Sequence, residues 1–247
     1  MSAGALRALH VPGRPLVLPN AWDADSARLV VEAGFPVVAT SSAAVAAVLG
    51  HPDGEGAPVA DMLAAAARIV GAVSVPVTVD AESGYGLAPA DLAGRLLEIG
   101  VAGCNYEDTD HSAGGRRRPF DEQAARITEL RKAAGDELVL NARVDSFLGV
   151  PDEAAVFDDA VARGRAYLEA GADCVYPILV RSPELLGEFV RQVGGPVNAA
   201  AFPGGPGLSA LADLGVARIS LGTGLWRHLR GVLQDVLGGI AAGRLPY

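Results

Sequence analysis

Two carboxylates, Asp80 and Glu82, follow directly on an apolar segment, and a glycine-rich turn follows them. From Val75 onward, valines alternate with other residues over the length of a strand, and such an apolar run predicts a strand buried on both faces. Gly84 and Gly86 permit backbone angles that other residues avoid, which favours a loop that closes over a ligand. The segment therefore predicts a strand with acids at its carboxyl end, although a plain turn with a helix-capping acid has the same pattern.

Together with Asp80 and Glu82, several polar residues lie at or just after the ends of the other predicted strands. They comprise four acids, one cation and three hydroxyl or amide side chains: Asp23, Thr40, Ser41, Asp80, Glu82, Glu107, Arg143 and Asn198. Crowded carboxylates repel one another unless a positive charge lies between them. With no His or Cys placed for zinc or iron, oxygen ligands favour Mg²⁺ or Mn²⁺. The alternative is that some acids cap helices or pair with arginines, and it applies most to Asp23, Asp108 and Asp145.

The lysine content excludes one class of mechanism. Lys132 is the only lysine in the chain, and it falls within a predicted helix rather than at a strand end. Schiff-base chemistry needs a lysine amine at the reacting centre, so lysine-dependent aldolase and pyridoxal phosphate mechanisms are excluded. An enzyme of this kind that handles carbanions must stabilise them with a metal and hydrogen-bond donors.

These side chains need a scaffold that brings many strand ends together. Periodicity predicts strands at 16–18, 36–39, 75–80, 102–106, 138–142, 174–178, 196–200 and 217–221. It predicts helices near 25–33, 59–70, 89–99, 121–134, 153–170, 183–193 and 225–241. This alternation favours a single α/β domain over residues 1–247, a (β/α)8 TIM-type barrel whose active site lies at the carboxyl ends of the strands. An open parallel sheet is the alternative, but no Gly-x-Gly-x-x-Gly motif follows the first strand.

Composition limits the partners and the compartment. The net charge is −9 and the pI is near 4.9, which argue against nucleic acid or an anionic membrane as partner. The chain has no run of about twenty apolar residues and no signal-peptide pattern, so we expect a cytoplasmic protein. Cys104 and Cys174 each fall in an apolar strand-like run, which predicts buried thiols rather than a disulfide or a metal pair.

A polar segment without periodicity, about residues 108–119, predicts a mobile gating loop after the fourth strand. His111 is its only histidine and is a candidate acid or base near neutral pH, although a lone loop histidine is often merely solvated. Glycine-rich loops at 204–207 and 222–224 follow the seventh and eighth strands, where barrels often bind phosphate. A phosphate group on the substrate is therefore a secondary interpretation.

Six short motifs in order along the chain carry a family resemblance. They are Pro19-Asn-Ala-Trp-Asp23, Leu49-Gly-His-Pro-Asp53, Val79-Asp-Ala-Glu-Ser-Gly-Tyr-Gly86, Tyr106-Glu-Asp108, Ala142-Arg-Val-Asp145 and Ala170-Gly-Ala-Asp173. With them, the chain resembles the isocitrate lyase and phosphoenolpyruvate (PEP) mutase superfamily from about residue 15 to residue 225. The resemblance implies an α/β barrel that binds Mg²⁺ and stabilises the enolate of a 2-oxo acid while a C–C or C–P bond breaks or forms. It also implies a homo-oligomer, since these barrels commonly exchange C-terminal helices within tetramers.

The same resemblance implies roles for individual residues. Those matching the metal site are Asp80 and Glu107 as carboxylate ligands, Glu82 in the place of a second aspartate, and Asp53 in the water-mediated shell. Those matching the substrate site are Thr40, Ser41 and Ser42 in the loop that cradles a carboxylate, and Arg143 and Asn198 as polar clamps.

Two departures from the superfamily pattern narrow the expected reaction. Its lyases carry a cysteine in the gating loop that supplies the catalytic proton, whereas this loop has none. Ile178 stands where those lyases commonly place a glutamate after a proline. We therefore do not expect efficient cleavage of isocitrate or methylisocitrate. Glu82, with one methylene more than the aspartate it replaces, alters the metal shell.

The predicted function is that of a Mg²⁺-dependent lyase or decarboxylase that cleaves a C–C bond of a small 2-oxo or 2-hydroxy dicarboxylate through an enolate. Arg143 and the metal would take up charge on the enolate oxygens, with His111 as a candidate proton carrier. The rival enzyme is a mutase or hydrolase acting on the C–P bond of phosphonopyruvate. The alternative of another class is a non-catalytic barrel that serves as a binding module, which would have no need of these polar strand ends.

Overall fold

Eight parallel strands form a ring in the computed structural model, which describes residues 2–246. In chain order they are β1 (Leu16–Leu18 and Asn20–Ala21, interrupted at Pro19), β2 (Val38–Thr40), β3 (Val77–Asp80), β4 (Gly103–Glu107), β5 (Val139–Val144), β6 (Cys174–Pro177), β7 (Asn198–Ala200) and β8 (Arg218–Ser220). Each strand pairs in parallel with its neighbours.

The ring closes at two places. The first segment of β1 pairs with β8 and its second segment pairs with β2. Pro19 separates the two segments because proline has no N–H to donate to a ladder. On the opposite side, a bridge between Val175 and Val197 joins β6 to β7. The predicted (β/α)8 barrel is therefore confirmed.

Helices accompany the strands, and most of them occupy the connections and cover the outside of the ring. They are α1 (Ala3–Ala8), α2 (Ala24–Glu32), α3 (Ser42–Leu49), α4 (Val59–Ala72), α5 (Pro89–Glu98), α6 (Phe120–Ala134), α7 (Phe157–Glu169), α8 (Pro183–Val193), α9 (Leu208–Asp213) and α10 (Gly224–Ala241). The sequence patterns did not predict α1, α3 or α9. The others agree with the predicted helices to within a few residues at each end.

The main core lies between the strands and the surrounding helices. Leu92 and Leu96 lie one turn apart on the inner face of α5, and Ile127 and Leu130 do the same on α6. All four are buried in one cluster with the strand side chains. Burying each such side chain contributes about 2 kcal/mol. This packing fixes α5 and α6 against the strands that carry the polar ends.

A smaller core closes the amino-terminal end of the barrel. Leu6 of α1 is fully buried there against strand residues such as Leu18 and Val139. Gly103 is required at the start of β4, since a Cβ would lie 2.8 Å from the Val139 carbonyl oxygen and 2.9 Å from Leu6 Cδ2. With this end filled by apolar side chains, a ligand can reach the barrel only from the carboxyl ends of the strands.

Helix α10 differs from the other helices of described residues 2–246. None of its 18 residues is buried, and its large apolar side chains are about half exposed: Leu229, Val232, Leu233, Leu237 and Ile240. Over the described part of the chain, no helix combines the length and apolar character needed to cross a membrane.

The strand register brings the polar ends together. Asp80 of β3 lies opposite Asn105 of β4. Two residues further along β4, Glu107 lies opposite Arg143 of β5. Because side chains alternate along a strand, Asn105 and Glu107 point to the same side of β4. Acid, amide and guanidinium groups therefore meet at the open end of the barrel.

Candidate active site

A cavity of about 390 Å³ opens at the carboxyl ends of the strands. Eight of the ten predicted site residues line it: Ser41, Ser42, Asp53, Asp80, Glu82, Glu107, His111 and Arg143. The two other predicted residues lie behind its wall. The Thr40 hydroxyl accepts a hydrogen bond of 2.9 Å from the Asp80 backbone N–H, and Asn198 is fully buried, where its amide donates to Ser220 Oγ at 3.1 Å. Both therefore support the site from behind.

Asp80 is held in place by the start of α3. Its Oδ2 accepts hydrogen bonds from the Ser42 hydroxyl at 2.7 Å and from the Ser42 backbone N–H at 3.2 Å. Its Oδ1 receives only a long contact of 3.5 Å from the Asn105 amide. One oxygen is thus used to position the carboxylate, and the other faces the cavity with little compensation.

Glu82 is buried, with only 3% of its surface exposed. Its Oε2 accepts a hydrogen bond of 2.5 Å from the Glu55 backbone N–H. Burial, reinforced by repulsion from Asp80, raises the pKa of Glu82 to about 8. Glu82 and Glu55 both have positive φ, +48° and +59°, a conformation that costs about 1 kcal/mol or more for residues other than glycine. The loop between β3 and α5 thus holds an acid in an unfavourable environment.

Glu107 has a charged or titratable partner on each oxygen. Its Oε1 lies 2.6 Å from His111 Nε2, and its Oε2 lies 2.5 Å from an Arg143 terminal nitrogen. Burial raises the pKa of Glu107, while Arg143 and His111 oppose the rise. The hydrogen bond to Glu107 in turn raises the pKa of His111. The His111 ring also lies 4.0 Å from Glu82, so the loop histidine stands among the acids and is not merely solvated.

Arg143 is fixed by two acids. Its Nε donates to Asp145 Oδ1 at 2.6 Å and its Nη2 donates to Asp145 Oδ2 at 2.9 Å, besides the contact with Glu107. Its Nη1 forms no hydrogen bond with the described residues 2–246, and Arg143 lines the cavity. The guanidinium is therefore oriented in advance with one donor group left for a ligand.

The three acids for which capping or pairing was the alternative follow that alternative. Asp23 caps α2, where its carboxylate and Ser26 form a capping box. Asp108 has no exposed surface and accepts hydrogen bonds from Arg163 and from the Tyr167 hydroxyl. Asp145 pairs with Arg143. These acids stabilise the fold around the cavity and do not line it.

The gating loop lies over the cavity as a small hairpin. Thr109–Asp110 pairs antiparallel with Arg116–Arg117, with a single 3-10 turn between them. Arg117 anchors the loop to α7 through Asp159 at 2.5 Å, and Arg118 pairs with Asp110 at 2.8 Å. These contacts place His111 in the cavity. The predicted mobility of the loop stays a prediction.

The site fits a hard divalent cation in its donor chemistry. Across residues 2–246, no three His, Cys, Asp or Glu side chains form a ready-made ligand set. Carboxylate oxygens without a short hydrogen bond from the described residues remain on Asp80, Glu82 and Asp53, all of which line the cavity. Mg²⁺ is usually held by one or two carboxylates and several waters rather than by a complete protein cage. Glu107 would have to exchange a partner to join such a set.

Sequence reasoning missed part of the cavity wall. One side is apolar and includes Tyr176, Leu179 and Phe202. Arg227, in the first turn of α10, adds a second cation at the opening. Asn105 forms part of the floor, and its position two residues before Glu107 on β4 was a signal that could have identified it.

Comparison with known proteins is consistent with this geometry. The family model described as phosphoenolpyruvate phosphomutase matches residues 6–241. An uncharacterized protein of Mycobacterium tuberculosis is 36% identical over 215 residues, which cover 87% of this chain and 80% of that protein. The 2-methylisocitrate lyase of Bacillus subtilis is 32% identical over 205 residues, covering 80% of this chain and 66% of the lyase. A crystal structure of a provisionally assigned phosphonomutase from Burkholderia cenocepacia is 41% identical, with a TM-score of 0.91 over 96% of this chain and 99% of that chain.

Proposed function

The chain belongs to the phosphoenolpyruvate phosphomutase family and is an enzyme of the isocitrate lyase/PEP mutase superfamily; we propose that it uses Mg²⁺ or Mn²⁺ to cleave a C–C bond of a small 2-oxo or 2-hydroxy dicarboxylate through an enolate. Membership sets aside the non-catalytic alternative. The superfamily's lyases and mutases act on small carboxylates. The metal dependence, the bond cleaved and the residue roles below are parts of the proposal.

One observation carries the proposal. Asp80, Glu82 and Glu107 converge on a single cavity in which Arg143 is their only close guanidinium partner among the described residues. Burial first, and then repulsion from Asp80, raises the pKa of Glu82, so its ionised carboxylate is unfavourable at this position. Such a group of acids is unfavourable for the folded protein unless a cation joins it. The arrangement thus favours a bound metal over a purely structural role.

Asp80, Glu82, Glu107 and Asp53 are the residues that would hold the ion. When bound, the ion supplies positive charge that stabilises the oxygens of an enolate. Arg143 Nη1 is oriented to donate to an anionic oxygen in the cavity. Ser41 and Ala43 line the cavity at the start of α3, where first-turn N–H groups have no intrahelical acceptor and can bind a carboxylate.

His111 is the proposed proton carrier. Its Nε2 lies 2.6 Å from Glu107, and the raised pKa keeps the imidazole protonated to a higher pH than an ordinary histidine. The two cysteines offer no substitute. Both are fully buried, and burial raises the pKa of each thiol to about 12. Proton transfer by a cysteine, as in the superfamily's lyases, is therefore not part of the proposal.

The test is a substrate screen with Mg²⁺. Oxaloacetate and related 2-oxo acids would be assayed for pyruvate release, with chelator-treated protein as the metal control. Glu107→Gln should lower turnover at least a hundredfold, whereas Glu98→Gln on the exposed face of α5 should leave it unchanged. Small 2-hydroxy dicarboxylates would be included in the same screen, and turnover of neither substrate class with metal present would overturn the proposal.

C–P bond chemistry is the second candidate. The matching family model is that of phosphoenolpyruvate phosphomutase, and the solved structure at 41% identity is assigned provisionally as a phosphonomutase. Arg227 at the cavity opening supplies a cation that could meet a phosphonate. Two further assays separate the candidates. Formation of phosphonopyruvate from phosphoenolpyruvate would indicate a mutase, and release of phosphate from phosphonopyruvate would indicate a hydrolase.

The assembly and compartment complete the proposal. The exposed apolar side chains of α10 form a surface that a monomer would leave in water. We infer that a second copy of the chain covers it in a cytoplasmic homo-oligomer. Leu233→Glu should therefore lower the mass measured by light scattering, whereas Asp235→Asn on the same helix should not. An unchanged mass for the Leu233 variant, or a monomeric parent, would contradict the inference.

A further inference from the structure

Arg218, the first residue of β8, places a positive charge inside the barrel beneath the cavity floor. Only 1% of its surface is exposed, and no carboxylate in residues 2–246 forms an ion pair with it. Burial lowers the pKa of its guanidinium. A buried charge without an opposite partner is costly. An arginine at this position therefore needs a reason other than the stability of the fold.

The hydrogen bonds of Arg218 lead to the cavity. Its Nη2 donates to Asn105 Oδ1 at 3.1 Å, and its Nε donates to Ser220 Oγ in a longer contact of 3.4 Å. Asn105 and Ser220 line the cavity, whereas Arg218 does not. Arg218 thus contacts two floor residues from below without reaching a ligand itself.

Each of the two acceptors receives a second donor. The Asn141 amide donates to Asn105 Oδ1 at 2.8 Å, and the Asn198 amide donates to Ser220 Oγ at 3.1 Å. A guanidinium has only donors, so the directions of its hydrogen bonds are unambiguous. With Oδ1 turned toward Arg218, the NH₂ group of Asn105 turns toward Asp80. With both acceptor positions of its oxygen used, Ser220 keeps its own proton for an acceptor elsewhere.

We propose that Arg218 is a positioning residue that makes the cavity floor a pair of hydrogen-bond donors, the Asn105 amide and the Ser220 hydroxyl, for an anionic oxygen of the substrate. The inference rests on the proposed function and adds the floor to it. Without Arg218, Asn105 and Ser220 keep only the Asn141 and Asn198 amides as partners. An amide can offer its oxygen as well as its NH₂ group, so Asn105 can then turn its amide over and Ser220 can reverse its hydroxyl. Either change would present a lone pair to an anion and weaken its binding.

A purely structural role for Arg218 makes the opposite prediction for two matched variants. Arg218→Met keeps much of the volume and removes the buried charge, a change that is often neutral or stabilising. Arg218→Lys keeps a charge and donors but loses the fork that reaches two acceptors. If packing is the only role, Met is tolerated at least as well as Lys in every measurement. If the donors matter, Lys retains more ligand affinity than Met, while Met is at least as stable.

The experiment measures oxalate binding by calorimetry in the presence of Mn²⁺, with Mn²⁺ alone as the reference titration and thermal unfolding as the control for folding. Oxalate presents adjacent anionic oxygens as an enolate of a 2-oxo acid does. We expect Arg218→Met to unfold no earlier than the parent yet to bind oxalate about tenfold or more weakly, with Arg218→Lys in between. Equal oxalate affinity in the parent and in a folded Arg218→Met protein would overturn the proposal.

A neutron structure of Arg218→Met, which locates the amide and hydroxyl hydrogens, gives a readout that needs no ligand. The proposal expects the Asn105 amide to turn over or the Ser220 hydroxyl to reverse, whereas a floor whose two donors point as in the parent would refute it. If the parent binds neither Mn²⁺ nor oxalate, the proposed function fails by that result alone. The positioning role is then still decided by the floor geometry of the variant.

Discussion

The central perturbation is Glu82→Gln, which removes an acid whose pKa stands near 8 in the folded protein. An unfolded glutamate titrates near 4.5, so between these values the folded state binds more protons than the unfolded state. The stability of the metal-free parent must therefore fall as the pH rises from about 4.5 to about 8. Gln is never ionised and its side-chain oxygen can still accept the hydrogen bond from Glu55. The stability of the variant should therefore not fall with pH for this reason.

The magnitude follows from the two pKa values. Removing the carboxylate should raise the free energy of unfolding by about 1 kcal/mol at pH 5, about 3 kcal/mol at pH 7 and about 4 kcal/mol at pH 8. The assay is urea unfolding of parent and variant in chelator at these pH values, with Glu98→Gln as the matched exposed control. Adding Mn²⁺ should reverse the order, because it stabilises the parent and much less the variant. A difference between parent and variant that does not grow with pH would refute the reasoning.

Three further predictions concern the metal, the gating loop and the cavity wall. Asp80→Ala should abolish Mn²⁺ binding in calorimetry, since the neighbouring acids alone lack a second oriented ligand, and binding as tight as that of the parent would mean that the metal site lies elsewhere. The amides of residues 109–118 should exchange hydrogen quickly without ligand and slowly with Mn²⁺ and oxalate, so strong protection in the ligand-free protein would exclude a mobile lid. His111→Gln should slow turnover roughly 10² to 10⁴-fold and remove the histidine limb from the pH profile, whereas an unchanged profile would show that another group carries the proton.

The sequence predicted the strands and most of the site residues, because a local strand pattern combined with the barrel topology determines which residues lie at the open end. Short valine-rich segments predicted the strands, and the barrel rule then placed Asp80, Glu107 and Arg143 at one end of the ring. That rule states which end of a strand carries function but not which way a side chain points. Thr40 and Asn198 were therefore assigned to the cavity, although their side chains support Asp80 and Ser220 from behind.

Other features depend on contacts that a linear pattern does not encode. Helix α3 consists of small and apolar residues on all faces, so it has no polar face to mark a helical period. Helices α1 and α9 have six residues each, which is too short for a clear period. The sequence left pairing with an arginine open for Asp145 but did not identify the partner. Only the folded chain shows that Asp145 is neutralised by Arg143 whereas Glu82 is not.

The most direct test of the account is a comparison of kcat/KM for oxaloacetate and for 2-methylisocitrate with Mg²⁺. Oxaloacetate cleavage leaves a pyruvate enolate that Arg143 and a metal can stabilise until it is protonated. Methylisocitrate cleavage leaves a carboxylate-stabilised carbanion, which the superfamily's lyases protonate from a cysteine, a general acid worth roughly 10² to 10⁴ in rate. Neither cysteine of this chain reaches the cavity, and His111 is proposed only for the less demanding enolate. We predict metal-dependent turnover of oxaloacetate, with methylisocitrate cleaved at least a hundredfold less efficiently. Efficient cleavage of methylisocitrate, or turnover of oxaloacetate that survives removal of the metal, would contradict the account.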